Sequence, residues 1–176
     1  MASLFLYNET SMKNVVPQIN KLIKKDQKNI KLFVKRKISK IHYQKTSKEI
    51  MREFLKIINI FGFPYKNILS NNIYKASITL ALHLNIKDLK KIYKRYIENT
   101  NPKKIQLDHK IIFIDKIRVL SGNKQLYGSQ YKISKNGKIK ILPIKNKKNV
   151  GVRRKKMGLI SLKKYIESVK INHGKR

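Results

Sequence analysis

Over residues 12–38, apolar side chains recur at Val15, Ile19, Leu22, Ile23, Ile30, Phe33 and Val34, with lysines filling the other side. That spacing predicts one long amphipathic helix, with a break near Asp26 left open. Asp26 stands seven residues after Ile19 and four before Ile30. On an unbroken helix its carboxylate therefore projects from the apolar face and needs a partner, a cap or a function. Residues 39–45 are polar, and Thr46-Ser47-Lys48-Glu49 then has the form of a capping box ahead of Ile50, Phe54, Ile57, Ile58 and Phe61. A second helix is expected from that box to a stop at Gly62 and Pro64.

Residues 73–84 are nearly all apolar, with Lys75 and His83 as the strongly polar exceptions, which predicts a central buried helix. Residues 86–98 are amphipathic, with Leu89, Ile92, Tyr93, Tyr96 and Ile97 on the inner face. Pro102 suits the first turn of a further helix running through Ile105, Ile111, Ile112, Ile114 and Ile117 to Gly122, with Asp108 and Asp115 on one face. Beyond Gly122 the period becomes two. Tyr131 and Ile133 alternate with Lys132, residues 134–137 supply an Asn-Gly turn, and Ile139 and Ile141 alternate with Lys138 and Lys140. This predicts a β-hairpin with one face of lysine. Pro143 ends the second strand, residues 145–149 form a basic loop, and residues 152–157 and 161–169 read as two short helices around Gly158.

The expected fold class is α+β, mainly α: a compact helical domain with a C-terminal β-hairpin and short closing helices. With 176 residues, one domain is expected. It divides into an N-terminal extension (1–11), a helical part (12–122), the basic hairpin with its closing helices (123–171) and a frayed tail (172–176).

Charge changes the picture more than length does. Lysine and arginine number 43 against 9 acids, a formal charge of +34, yet 41% of residues are hydrophobic, which a disordered polybasic tail would not carry. Lysine outnumbers arginine 36 to 7, as A/T-rich codons favour. Codon drift accounts less well for so few carboxylates, because the codons of Asp and Glu are also fairly A/T-rich. Residues 116–166 contain no acid at all but hold 13 Lys and 3 Arg. There are no cysteines, so disulfides and thiolate metal sites are excluded. Residues 1–13 lack the basic and long apolar regions of a signal peptide, and no uninterrupted apolar run reaches membrane-spanning length. An intracellular location is expected, in the cytoplasm or within a nucleoprotein particle or virion, with no membrane insertion.

Gln125-Leu126-Tyr127-Gly128-Ser129-Gln130, followed by Pro143-Ile144 and by Arg153-Arg154-Lys155-Lys156-Met157-Gly158-Leu159, resembles a bacterial family of unknown function. That family carries a Tyr-Gly-Thr-Gln strand motif and a later Arg-Arg-x-x-x-Gly-Leu. The resemblance extends upstream through Gly122, Asp115, His83, Gly62-Phe63-Pro64 and Asp26-Gln27, roughly residues 21–166. It implies helices followed by a small hairpin and a shared set of polar positions, without naming an activity. The chain departs from the family at Leu82, Lys116, Asn146 and Gly151, where the family usually has Gln, Arg and acidic residues.

Two kinds of chemistry suit these residues. Asp26, His83, Asp115, Gln125, Tyr127, Gln130, Arg153 and Arg154 would supply a general base, hydrogen-bond donors and an anion clamp for a hydrolase or phosphoryl-type enzyme with a cleft around His83, Asp115, Tyr127 and Arg153. The same residues also have structural readings: Asp115 paired with Arg118, Asp26 with an arginine across the core, His83 a satisfied buried histidine. His42, His83, His109 and His173 show no metal-ligand spacing, and no phosphate-cradling glycine loop is present. Neither a metal nor a cofactor is expected. Against this stands Lys132, Lys135, Lys138, Lys140, Lys145, Lys147, Lys148, Arg153, Arg154, Lys155 and Lys156, a set suited to phosphate, with Tyr127 and Tyr131 nearby as stacking groups or core. No helix-turn-helix, zinc-finger or RNA-binding signature accompanies it. The leading expectation is a sequence-tolerant DNA- or RNA-binding protein that packages or coats nucleic acid or joins a ribonucleoprotein. The enzyme is the alternative, and a structural component of a larger assembly or a binder of an acidic protein partner comes next.

Overall fold

The computed structural model describes residues 9–66, 70–98, 100–101, 103–134 and 138–174, with side chains described from residue 15 to residue 171 of these. The fold is α+β and mainly α. In order come α1 (Glu9–Val34), α2 (Lys40–Phe61), α3 (Asn71–Leu82), α4 (Ile86–Ile92) with one π-helical turn after it (Tyr93–Ile97), α5 (Leu107–Leu120), β1 (Tyr131–Ile133), β2 (Ile139–Ile141), α6 (Val150–Lys156) and α7 (Leu162–Gly174). These cluster into two compact units. Residues up to 85 and 94–105 form the first, and residues 86–93 and 106–176 the second. Helix α5 thus belongs with the hairpin, whereas the sequence pattern grouped it with the helices before it. Among the described residues no helix is long and apolar enough to cross a membrane.

In the first unit α1 packs on α2 and α3. Val15, Ile19, Leu22 and Ile23 face Ile50, Phe54, Ile57 and Ile58 of α2 and Tyr74 and Ile78 of α3, all buried. Helix α1 runs through Asp26 without a break. It ends at Arg36, which takes a left-handed φ of 54° while the Lys37 N–H bonds the Leu32 carbonyl and the Arg36 N–H the Phe33 carbonyl. This is a Schellman motif built without glycine.

The expected capping box lies inside α2 rather than at its start. The N-cap is Ser39, whose hydroxyl accepts from the His42 N–H at 3.1 Å. The first turns bury little, with Ile41 79% exposed, so no apolar period marks them. They are held by side chains of α1: the Asn29 amide donates to the Tyr43 carbonyl and the Ser47 hydroxyl, each at 3.1 Å, and Phe33 stacks on Tyr43 at 4.5 Å between centroids. The π-helical turn is tied to the same unit, with the Tyr96 hydroxyl donating to the Ile58 carbonyl and the Tyr65 hydroxyl to the Tyr96 carbonyl.

In the second unit α5 starts at Leu107, later than Pro102 predicts. Asn101 instead closes a turn, accepting from the N–H groups of Lys104 and Ile105, and Gln106 is extended. Pro102 itself lies outside the described residues. Strands β1 and β2 pair antiparallel with Tyr131 opposite Ile141, Lys132 opposite Lys140 and Ile133 opposite Ile139, the register the alternation requires. The Asn136-Gly137 turn lies outside the described residues. A short parallel bridge joins Gln125 to Ile144.

Candidate functional site

The polar residues of the Gln125–Gln130 motif form a closed knot around Asp115. Its side chain is fully buried on α5. One carboxylate oxygen accepts from the Leu126 N–H at 2.7 Å and the Tyr127 N–H at 3.1 Å, the other from the Tyr127 N–H at 3.2 Å and the Ser129 N–H at 3.0 Å. Gln125 closes the loop from its far end: its amide oxygen accepts from the Gln130 N–H, and its amide nitrogen donates to the carbonyls of Gln130 and Leu142. The Gln130 amide donates to the Ser129 hydroxyl at 3.2 Å and, at 3.5 Å, to the Ile112 carbonyl. Gly128 sits where the loop turns, with φ of 78°, and a Cβ there would come within 2.8 Å of Leu162 and 3.0 Å of Ile144. The left-handed φ favours glycine there, and a Cβ would displace the ends of those two side chains.

The paired arginines complete the knot rather than extend from it. Arg153 donates to the carbonyls of Leu126, Lys145 and Asn146, which fastens the basic loop to α6. Arg154 is 3% exposed and donates to the carbonyls of Ile160 and Tyr127, both at 2.7 Å. Burial lowers its pKa, with Tyr165 and Asp115 opposing. Arg153 is thus half-buried and Arg154 buried, and both guanidinium groups of the phosphate-suited set are bonded to main-chain carbonyls. Arg118 does not pair with Asp115; its Nε donates to the Lys124 carbonyl at 2.8 Å. Tyr127 enters through its backbone, so Asp115, Tyr127 and Arg153 of the expected cleft are brought together with Gln130, without His83, as a packed loop with its carboxylate occupied by N–H donors. Sequence reading missed Tyr165, whose hydroxyl donates to the Ser129 carbonyl at 2.8 Å across 36 positions. Burial first, then Tyr131, pushes its pKa up to about 12, so the phenol keeps that proton.

Asp26 and His83 lie in the other unit. The Asp26 carboxylate is buried on α1, and His83 Nδ1 stands 3.8 Å from it. Burial raises the Asp26 pKa while His83 opposes the rise. His83 is exposed at the C-terminal end of α3, not buried as its apolar helix suggested, and the partner expected to be an arginine is this imidazole. Among the described residues no group of three His, Asp or Glu is placed to hold a metal. His173 lies outside the residues whose side chains are described.

The described lysines of the phosphate-suited set all face solvent: Lys132, Lys138, Lys140, Lys145, Lys147, Lys148, Lys155 and Lys156 are exposed. Lys135 lies outside the described residues. Lys132 and Lys140 stand directly opposite each other on one hairpin face, an arrangement that destabilises a sheet. Among the described residues, the lysine–glutamate ion pairs are Lys25–Glu49 and Lys56–Glu53, both in the first unit. Tyr131 and Ile141 are half-buried on the opposite hairpin face, where Tyr131 belongs to the packing more than to a stacking platform. No protein-family model, curated protein or solved structure matches the chain.

Proposed function

We propose that the chain is a sequence-tolerant nucleic-acid-binding protein that packages or coats DNA or RNA, or joins a ribonucleoprotein, by neutralising phosphates. The observation that carries this reading is the cross-strand pair of Lys132 and Lys140, two exposed like charges held in register inside a span of 51 residues without a carboxylate. An arrangement that repels itself in isolation is stabilised by a polyanion laid across it. Arg153 supports the same surface from beneath, because its bonds to the Lys145 and Asn146 carbonyls fix the loop that presents Lys145, Lys147 and Lys148 beside α6. Lysine is a flexible point charge and carries no bidentate base recognition of its own, so affinity without sequence preference follows. The reading carries with it an intracellular site of action.

The test is a salt titration of binding to generic duplex DNA and to RNA. Neutralising about six phosphates gives a log–log slope near −5 on duplex DNA. The double variant Lys132→Ala, Lys140→Ala should flatten that slope by about two. Binding that ignores salt, or none at low ionic strength, overturns the reading.

A further inference from the structure

Within the second unit a pocket of about 570 Å³ opens between the start of α5 and the turn joining α6 to α7. Its walls are largely apolar, from Leu107, Ile111, Ile112, Leu159 and Ile160. Volume and lining are those of a small-molecule site, in which a few placed polar groups fix orientation.

The placed group is Arg154. Its Nε and Nη1 are bonded to carbonyls, and among the described residues Nη2 has no partner. No fully buried side-chain nitrogen or oxygen of the described residues lacks a hydrogen bond, so Nη2 keeps some exposure, on a residue that lines this pocket. No carboxylate of the described residues lies within ion-pair distance, and Asp115 is occupied by three N–H donors. Burial lowers the Arg154 pKa, and Tyr165 and Asp115 offset only part of that shift, so an anion at the free edge of the guanidinium is favoured. Tyr165 holds the guanidinium in place, its ring 5.2 Å from the central carbon.

A second feature points the same way. Helix α5 begins at this pocket, which Leu107 and Asp108 of its first turn line, so the positive end of a 14-residue helix lies at the same space. Asp108 acts in the other direction. It lines the pocket from the first turn of α5 and is exposed, which disfavours ligands of higher negative charge.

We infer that this pocket binds a small amphipathic monoanion, a carboxylate on an aliphatic or aromatic body, with the carboxylate at Nη2 of Arg154 and the body against Ile111, Ile112 and Leu159. This goes beyond the nucleic-acid reading, since Lys132 and Lys140 do not line the pocket.

Titration calorimetry on the whole chain with octanoate, octanol and inorganic phosphate decides it. Octanoate should bind one saturable site, octanol about tenfold or more weakly, and phosphate not at that site. Asp108→Asn should tighten octanoate severalfold. Arg154→Lys should weaken it about tenfold, since lysine does not reproduce the guanidinium fork. The double variant Lys132→Ala, Lys140→Ala should leave it unchanged. If Arg154→Lys does not fold, the octanol comparison and Asp108→Asn carry the decision. No octanoate binding, equal binding of octanol, displacement by phosphate, indifference to Asp108→Asn, or loss in the lysine variant each overturns the inference.

Discussion

Replacing Asp115 by alanine takes the acceptor from three backbone N–H groups at once, those of Leu126, Tyr127 and Ser129. Each buried donor left unpaired costs about 1–3 kcal/mol, and partial rehydration of the loop offsets some of that. Asp115→Ala should therefore lose about 3–5 kcal/mol, read as a fall in the urea midpoint at unchanged slope. A midpoint that does not move would show that the loop holds without its anchor. Asp26 behaves oppositely, because burial raises its pKa from 3.8. The folded state then holds the proton more tightly than the unfolded chain. The group stabilises the fold below the unfolded value, and that contribution disappears as pH rises through the elevated folded value. Asp26→Asn should melt above the wild type at neutral pH and converge with it as the pH drops below about 3.8. A constant offset across that range would mean that ionisation is not the cause. Asp26 was legible in the sequence as a carboxylate on an apolar face, and Asp115 as one sharing a helix face with Asp108. Their partners were not, since Asp115 meets main-chain N–H groups 11 to 14 positions away, and main-chain groups carry no residue signature.

At the scale of elements, what could be read was what repeats. The two-residue alternation gave the hairpin its two faces, and the helical period gave α1, α3 and α4. Helix starts set by one hydrogen bond were harder. Thr46-Ser47-Lys48-Glu49 matches a capping box as well as any tetrapeptide in the chain, yet Ser39 caps α2, because Asn29 and Phe33 of α1 stabilise two turns that bury almost nothing of their own. Arg36 ending α1 at positive φ was hidden for a related reason, the absence of the glycine that usually marks such a stop. The hairpin offers the sharpest test at this scale, since its pairing and its proposed role make opposite demands on one residue. Lys140→Glu converts the contact with Lys132 from repulsive to attractive and should stabilise the unit by about 0.2–1 kcal/mol. The same change should weaken nucleic-acid binding and flatten its salt slope, by the lost contact and the added repulsion. Thermal melts and binding isotherms on one variant read both, and a hairpin that serves packing alone would show the first effect without the second.

For the whole molecule the governing quantity is the charge of +34. The ion pairs Lys25–Glu49 and Lys56–Glu53 join side chains about half exposed or more, and such pairs contribute little. Salt therefore has small attractions to screen and a large repulsion. Raising the ionic strength from about 0.01 M to about 0.15 M shortens the screening length from about 30 Å to about 8 Å, and the melting midpoint should rise. For a chain of this length each kcal/mol relieved moves it by about 2–4 °C. Simple salt and a polyanion then separate two meanings of the charge. Drift-derived lysines scattered over the surface respond to ionic strength alone, and inorganic polyphosphate at matched ionic strength adds nothing. A surface built to receive phosphates binds the polyanion in the folded state and gains further stability by mass action. The gain should be greatest where the chain carries no acid, so hydrogen exchange in polyphosphate should slow most across the hairpin and α6. Uniform slowing, or none beyond the salt control, would make the basicity a property of composition rather than of that surface.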